Sequence, residues 1–156
     1  RFDHRMDRRL VWRNEMNLNG STEVLRAALV VAGWGQFGIL LASFQVPYRL
    51  NWSEELPRLS PFNRKLMWVY GGFTVMTIVA FGALTLALRE EMLRGERAAR
   101  LLAGFMAVFW SARVVVDALV FEHGDWPKGK LFALGHLVLT GAFIALATTY
   151  WFVFFR

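Results

Sequence analysis

The chain has 156 residues, of which 56% are apolar and 19% are charged, with a net charge of +6 and no cysteine. This length suits one domain, and the lack of cysteine excludes disulfides, thiolate metal sites and cysteine nucleophiles. The basic residues lie between apolar runs and are not interleaved with aromatic residues, which favours attraction to anionic lipid over binding of nucleic acid.

The first 23 residues are polar and carry five arginines, at positions 1, 5, 8, 9 and 13. We predict that residues 1–23 form a cationic amphipathic arm on a membrane surface, and a solvated tail is the alternative. The segment 17–22 (Asn-Leu-Asn-Gly-Ser-Thr) predicts a break in the chain. Ser21 or Thr22 is then expected to cap the helix that follows.

Four apolar runs follow the arm, and each is long enough to cross a hydrocarbon core of about 30 Å. They predict membrane spans at about residues 24–46, 66–88, 101–121 and 131–155. Ser60-Pro61 predicts a helix N-cap followed by proline at the first helical position. We expect residues 24–156 to form an all-α integral membrane domain, a four-transmembrane-helix up-down bundle.

Lysine and arginine are distributed unequally between the two ends of this bundle. Eleven lie in the arm, at Arg26, in the linker 89–100 and at Arg156, whereas six lie in the two opposite loops. The positive-inside rule therefore predicts that both the N and C termini are cytoplasmic. The expected location is therefore a membrane that the chain crosses several times.

The third run contains an intramembrane charge pair, Arg113 and Asp117. Their spacing of four residues places them on one helix face. At 1.5 Å per residue, Arg113 lies about 12 Å and Asp117 about 6 Å below the outer end of the run. Charges at such depth are costly unless they are paired or hydrated. A self-neutralising pair that fixes the rotation of the helix is favoured over an anion site in which Arg113 binds and Asp117 orients.

Polar side chains on all four runs fall in the same outer half as this pair. The candidates for a polar layer or ligand site are Gln36, Ser43, Tyr70, Thr74, Trp110 and His136. They meet only if the faces of their helices converge. For His136, a neutral imidazole bonded to a carbonyl or to Asp117 is the simpler interpretation. Trp110 is one turn before Arg113 and can stack on its guanidinium.

No complete metal site or catalytic motif is predicted. Glu122, His123 and Asp125 are weak candidate ligands for zinc or manganese, because their spacing matches no established metal motif. A single intramembrane histidine cannot provide bis-histidine haem ligation within one chain. No cofactor is therefore predicted, and contact with haem, quinone or pigment would need a partner subunit.

Two stretches, LPRLSPFNRKLMWVYGGF (56–73) and AVFWSAR (107–113), resemble a group of small four-span bacterial inner-membrane proteins with no assigned activity. The resemblance covers the four spans and implies their fold, but it implies no activity. The overall plan is also loosely similar to that of DoxX-type four-span proteins, although no motif of theirs is matched.

Three functions remain open at this point. The leading hypothesis is a non-enzymatic accessory or structural subunit of a larger membrane protein complex, which makes helix–helix, lipid or pigment contacts. It follows from the lack of catalytic motifs and from the many small and aromatic residues. The second hypothesis is a small transporter or a lipid- or anion-binding protein that uses the polar layer. The third is a haem- or quinone-binding redox anchor near His136.

Overall fold

The structure is a computed structural model that describes residues 4–120 and 130–156, with side chains described for 20–120 and 133–156. Every element that it describes is a helix. The four long helices are α1 (His4–Ser43), α4 (Pro61–Ala87), α6 (Arg97–Leu119) and α7 (Lys130–Phe155). The short elements are α2 (Val46–Arg49), α3 (Trp52–Glu55), a 3₁₀ turn (Leu56–Arg58) and α5 (Arg89–Arg94).

Four segments among the described residues are long and apolar enough to span a membrane, as the sequence predicted. These candidate spans are Gly20–Arg49, Pro61–Ala87, Arg97–Leu119 and Ala133–Phe155. Within each, only 22–33% of the most apolar stretch is buried inside the chain. The remaining apolar side chains face outward, which suits a lipid environment and a multi-pass membrane protein.

The start of the first span differs from the prediction. The predicted break at residues 17–22 is wrong, because α1 is continuous from His4 to Ser43. A break would cost a new helix nucleus and leave backbone groups without partners, which outweighs the weak helix propensity of Asn and Gly. Whether residues 1–23 lie on a membrane surface stays a prediction.

The predicted cap of the second long helix is confirmed. The backbone N–H of Asn63 donates to the Ser60 hydroxyl at 3.4 Å, and Pro61 occupies the first helical position. Helix α4 consequently begins at Pro61, before the run of apolar residues that predicted a span from about residue 66.

The bundle consists of two closely packed helix pairs, α1 with α4 and α6 with α7, while α1 also contacts α7. The first pair crosses at Gly33 and Gly82. A Cβ atom on Gly82 would lie 2.9 Å from the Phe37 ring and 3.1 Å from the Gly33 carbonyl oxygen. Gly82 is therefore required by the close approach of the two backbones, and Gly33 leaves room for the Leu86 side chain.

Contacts at one end of the bundle join the middle of α1 to α5, and the start of α6 to the end of α7. Arg26 pairs with Glu90 at 3.2 Å, and Arg100 donates two hydrogen bonds to the Phe154 carbonyl, at 2.9 and 3.1 Å. We call this the terminal end, and the opposite end, which contains Val46–Ser60, the loop end. The buried residues of α4 are Ile78, Phe81, Gly82 and Thr85, all in its terminal half. The loop half of α4 is thus left exposed.

Candidate functional site

Asp117 is the centre of a polar cluster between α6 and α7. Its side chain is 8% exposed. Its Oδ1 atom lies 3.6 Å from an Arg113 guanidinium nitrogen, and its Oδ2 atom accepts a hydrogen bond from the Thr140 hydroxyl at 2.8 Å. His136 Nε2 lies 3.2 Å from the same Oδ2 atom. The carboxylate therefore has a cation, an imidazole and a hydroxyl as partners, and two of these partners come from the neighbouring helix.

Arg113 lies between this carboxylate and an aromatic surface. Its guanidinium carbon is 5.1 Å from the centroid of the Phe143 ring, a cation–π distance. Trp110 does not provide that surface, although the sequence suggested it. Trp110 is buried, and it stacks on the Phe143 ring with the two ring centroids 5.2 Å apart. Arg113 is held by its own chain from two sides.

A second polar group lies in the core near the terminal end. Gln36 donates to the Tyr150 hydroxyl at 2.7 Å, and that hydroxyl lies 2.6 Å from the Thr85 hydroxyl. Thr85 also donates to the Phe81 carbonyl at 2.7 Å, so Tyr150 is the donor to Thr85. All three side chains are fully buried. One hydrogen-bonded chain thus connects α1, α7 and α4.

The structure does not bring the sequence-predicted polar layer together as one site. From His136 to Tyr150 is about 21 Å along α7, so Gln36 belongs to a different depth from Asp117. Ser43 donates to the Ile39 carbonyl within its own helix. Thr74 donates to the Tyr70 carbonyl, and both residues lie on the exposed part of α4. The predicted layer therefore fails in depth for Gln36 and in helix face for Ser43, Tyr70 and Thr74.

Sequence reasoning missed three members of the two clusters: Thr85, Thr140 and Tyr150. Threonine in an apolar helix usually bonds its own backbone, and Thr85 does so as well as contacting Tyr150. The available signal was the spacing of four residues between His136 and Thr140, which places both on one face of α7.

The predicted weak metal ligands Glu122, His123 and Asp125 lie outside the described residues. In the described part of the chain, no group of three or more acidic or histidine side chains is placed to hold a metal ion.

Comparisons of the chain with protein-family models, with curated proteins and with solved structures found no match.

Proposed function

We propose that this chain is a non-enzymatic subunit of a larger complex in the bacterial inner membrane. In this proposal both termini are cytoplasmic, and an outward face of α1 packs against a transmembrane helix of a partner. The orientation is supported by the excess of basic residues near the terminal end. The bacterial location is supported by the sequence resemblance described above.

The observation that carries the proposal is the division of the small residues of α1 between two faces. Gly33 faces inward and meets α4, where a Cβ atom would lie 2.6 Å from Leu86. Gly35 and Gly38 have nothing within 4 Å of an added Cβ atom, and Ala42 is exposed. Gly38 and Ala42 are four residues apart, the spacing at which small residues let two membrane helices approach closely.

Lipid contact alone gives no reason for glycine at these positions. Each glycine in a helix costs about 1 kcal/mol relative to alanine. Hydrocarbon tails do not reward a missing side chain, whereas a neighbouring helix gains contact with the exposed backbone. Gly35 and Gly38 are flanked by the exposed side chains of Trp34 and Leu41, which can pack around the incoming helix. We call Val31, Gly35, Gly38 and Ala42 the α1 outer face.

The polar clusters support a non-enzymatic role. The Asp117 carboxylate is shared among Arg113, His136 and Thr140 of its own chain. In this proposal, a carboxylate satisfied in this way holds α6 and α7 in one rotation. This arrangement needs no bound substrate to neutralise it.

The proposal is tested by native purification of the full chain in a mild detergent, with mass spectrometry of the purified fraction. We expect a second membrane protein in a fixed ratio. Gly38→Leu should remove it, because the added side chain fills the α1 outer face without a clash inside the chain. Gly72→Leu is the matched control, since Gly72 on α4 also has nothing within 4 Å but is followed four residues later by Met76 instead of a small residue. A wild-type chain that purifies alone, or a partner equally retained by both variants, contradicts the proposal.

The two alternative functions remain predictions with direct tests. A ligand site at Arg113 requires that Arg113→Ala abolish ligand binding while the bundle still assembles. A haem anchor requires a Soret band in the purified fraction. His136 is the single histidine of the four candidate spans, and its Nε2 atom faces Asp117. A bis-histidine site would therefore need a histidine from another chain.

A further inference from the structure

A second surface, at the loop end, has the composition of a binding pocket. The chain folds back there through α2, α3 and the 3₁₀ turn before α4 begins. These elements border an open cavity of about 680 Å³. The polar and aromatic side chains that line it are Tyr48, Asn51, Trp52, Ser53, Arg64 and Trp68. We call this cavity the loop pocket.

Among the residues that the structure describes, Arg64 is the only charged one that lines the loop pocket. It is half-buried, and its guanidinium forms no hydrogen bond or ion pair with any other residue that the structure describes. The nearby Arg58 differs, because it pairs with Glu55 at 3.0 Å and is 71% exposed. A partly desolvated guanidinium without a carboxylate partner favours an anionic ligand with several oxygen atoms, such as a phosphate.

Neutral hydrogen-bond donors line the same cavity as this cation. Trp52 and Trp68 meet edge to face, with ring centroids 5.5 Å apart, and each carries an indole N–H. The contact depends on Asn51, whose left-handed conformation (φ 48°, ψ 42°) turns the chain between α2 and α3. Tryptophan and tyrosine favour the boundary between hydrocarbon and water, where their rings lie in the apolar phase and their polar atoms face headgroups.

An apolar groove continues from the loop pocket along α4. Trp52 lines both cavities, and the groove is bordered by Met67, Tyr70 and Thr74. Gly71 also lines this groove, and an added Cβ atom there would have nothing within 4 Å. From Arg64 to Thr74 is about 15 Å along the helix, close to half the thickness of a bilayer core. A cationic pocket thus leads into an apolar groove of the length of one leaflet.

We propose that the loop pocket binds the phosphate group of a membrane phospholipid, with Arg64 as the anion-binding residue and an acyl chain along the groove at Gly71. The pocket provides a positive charge and hydrogen-bond donors for the headgroup, and the groove provides an apolar path for the chain. The site shares no residue with the α1 outer face, so it requires membrane insertion but no partner subunit.

The proposal is tested on the delipidated full chain by titration with phosphatidylglycerol, with the bound stoichiometry read by native mass spectrometry. We expect one tightly bound lipid, and Arg64→Gln should weaken it at least tenfold. Arg58→Gln is the matched control and should bind like the wild type. Equal affinity of the wild type and Arg64→Gln overturns the proposal.

Further measurements distinguish binding of the lipid from binding of a free anion, and distinguish this proposal from the proposed subunit role. Gly71→Leu fills the groove and should weaken phosphatidylglycerol binding without lowering the thermal stability of the chain. Inorganic phosphate that binds as tightly as the lipid would overturn the lipid assignment in favour of a soluble-anion site. Gly38→Leu should keep the lipid affinity of the wild type, so a failure here is distinguishable from loss of the partner.

Discussion

The hydroxyl groups of Tyr150 and Thr85 lie 2.6 Å apart in the core, where they join α7 to α4. Gln36 of α1 donates to the same tyrosine at 2.7 Å. The three side chains belong to helices from both of the packed pairs. Because the hydrogen-bonded chain is fully buried, it fixes how the α1–α4 pair faces α7.

Replacing Tyr150 with phenylalanine should destabilise the bundle by about 1–2 kcal/mol, because one buried N–H of Gln36 loses its acceptor and the Thr85 hydroxyl loses its donor. The measurement is unfolding of the purified chain in detergent, followed by circular dichroism. Tyr70→Phe is the matched control, since Tyr70 is 63% exposed, and it should leave stability unchanged. An unchanged Tyr150→Phe variant would show that the hydroxyl contributes nothing to packing.

Removal of the carboxylate at the α6–α7 cluster should have a larger effect. Asp117→Ala leaves Arg113 and His136 without their acceptor, and we expect a loss of about 2–3 kcal/mol. This is below the usual cost for a fully buried pair, because the Arg113 side chain is 36% exposed. Thr140→Val removes one hydrogen bond to a charged group and should cost about 1.5 kcal/mol.

The control for this pair of variants is Glu55→Gln, which breaks an exposed ion pair with Arg58. Its effect should stay below about 0.5 kcal/mol. The same unfolding measurement applies to all three variants. Equal effects of Asp117→Ala and Glu55→Gln would contradict a structural role for the cluster.

Gly82→Ala should separate α1 from α4. The added methyl group would meet the Phe37 ring at 2.9 Å and the Gly33 carbonyl oxygen at 3.1 Å, and the backbone oxygen cannot move aside as a flexible side chain can. We expect a loss of about 1–3 kcal/mol from this overpacking. Gly72→Ala is the control. Gly72 has open space around it, so alanine should be neutral or raise stability through its helix propensity.

The proposed orientation can be tested directly because the chain has no cysteine. Glu54→Cys introduces a thiol at the exposed loop end, and Glu96→Cys introduces one at the exposed terminal end. A membrane-impermeant maleimide added to intact cells should label the first variant and spare the second. Labelling of position 96 alone would reverse the orientation.

The long helices could be predicted from the sequence because each membrane span depends on one property, the length of an apolar run. The pairing of Arg113 with Asp117 could also be predicted, since a spacing of four residues places two side chains on the same face of a helix. How one helix is rotated and positioned against another could not be predicted from the sequence. Gln36 was expected at the depth of His136, but it meets Tyr150, about 21 Å further along α7, because the close crossing at Gly33 and Gly82 sets how α1 lies against the other helices.

The continuous α1 shows the same limit for local signals. Asn17, Asn19 and Gly20 are weak helix formers, and Ser21 is a good cap, so the sequence favoured a helix start there. Cooperativity within a long helix overcomes a short unfavourable stretch.

The roles proposed for Gly35 and Gly38 depend on the rotation of α1. The sequence does not distinguish the small residues that face inward from those that face outward, whereas the structure does.

The most direct test of the proposed subunit role is site-specific photocrosslinking in intact membranes. A photoreactive amino acid at Val31, which is 71% exposed on the α1 outer face, should give one discrete heavier product. That product should disappear when Gly38→Leu is added. The same photoreactive residue at Ile144 on the exposed side of α7 should give none. The same pattern at both positions, or no discrete product at Val31, would contradict a partner helix on this face.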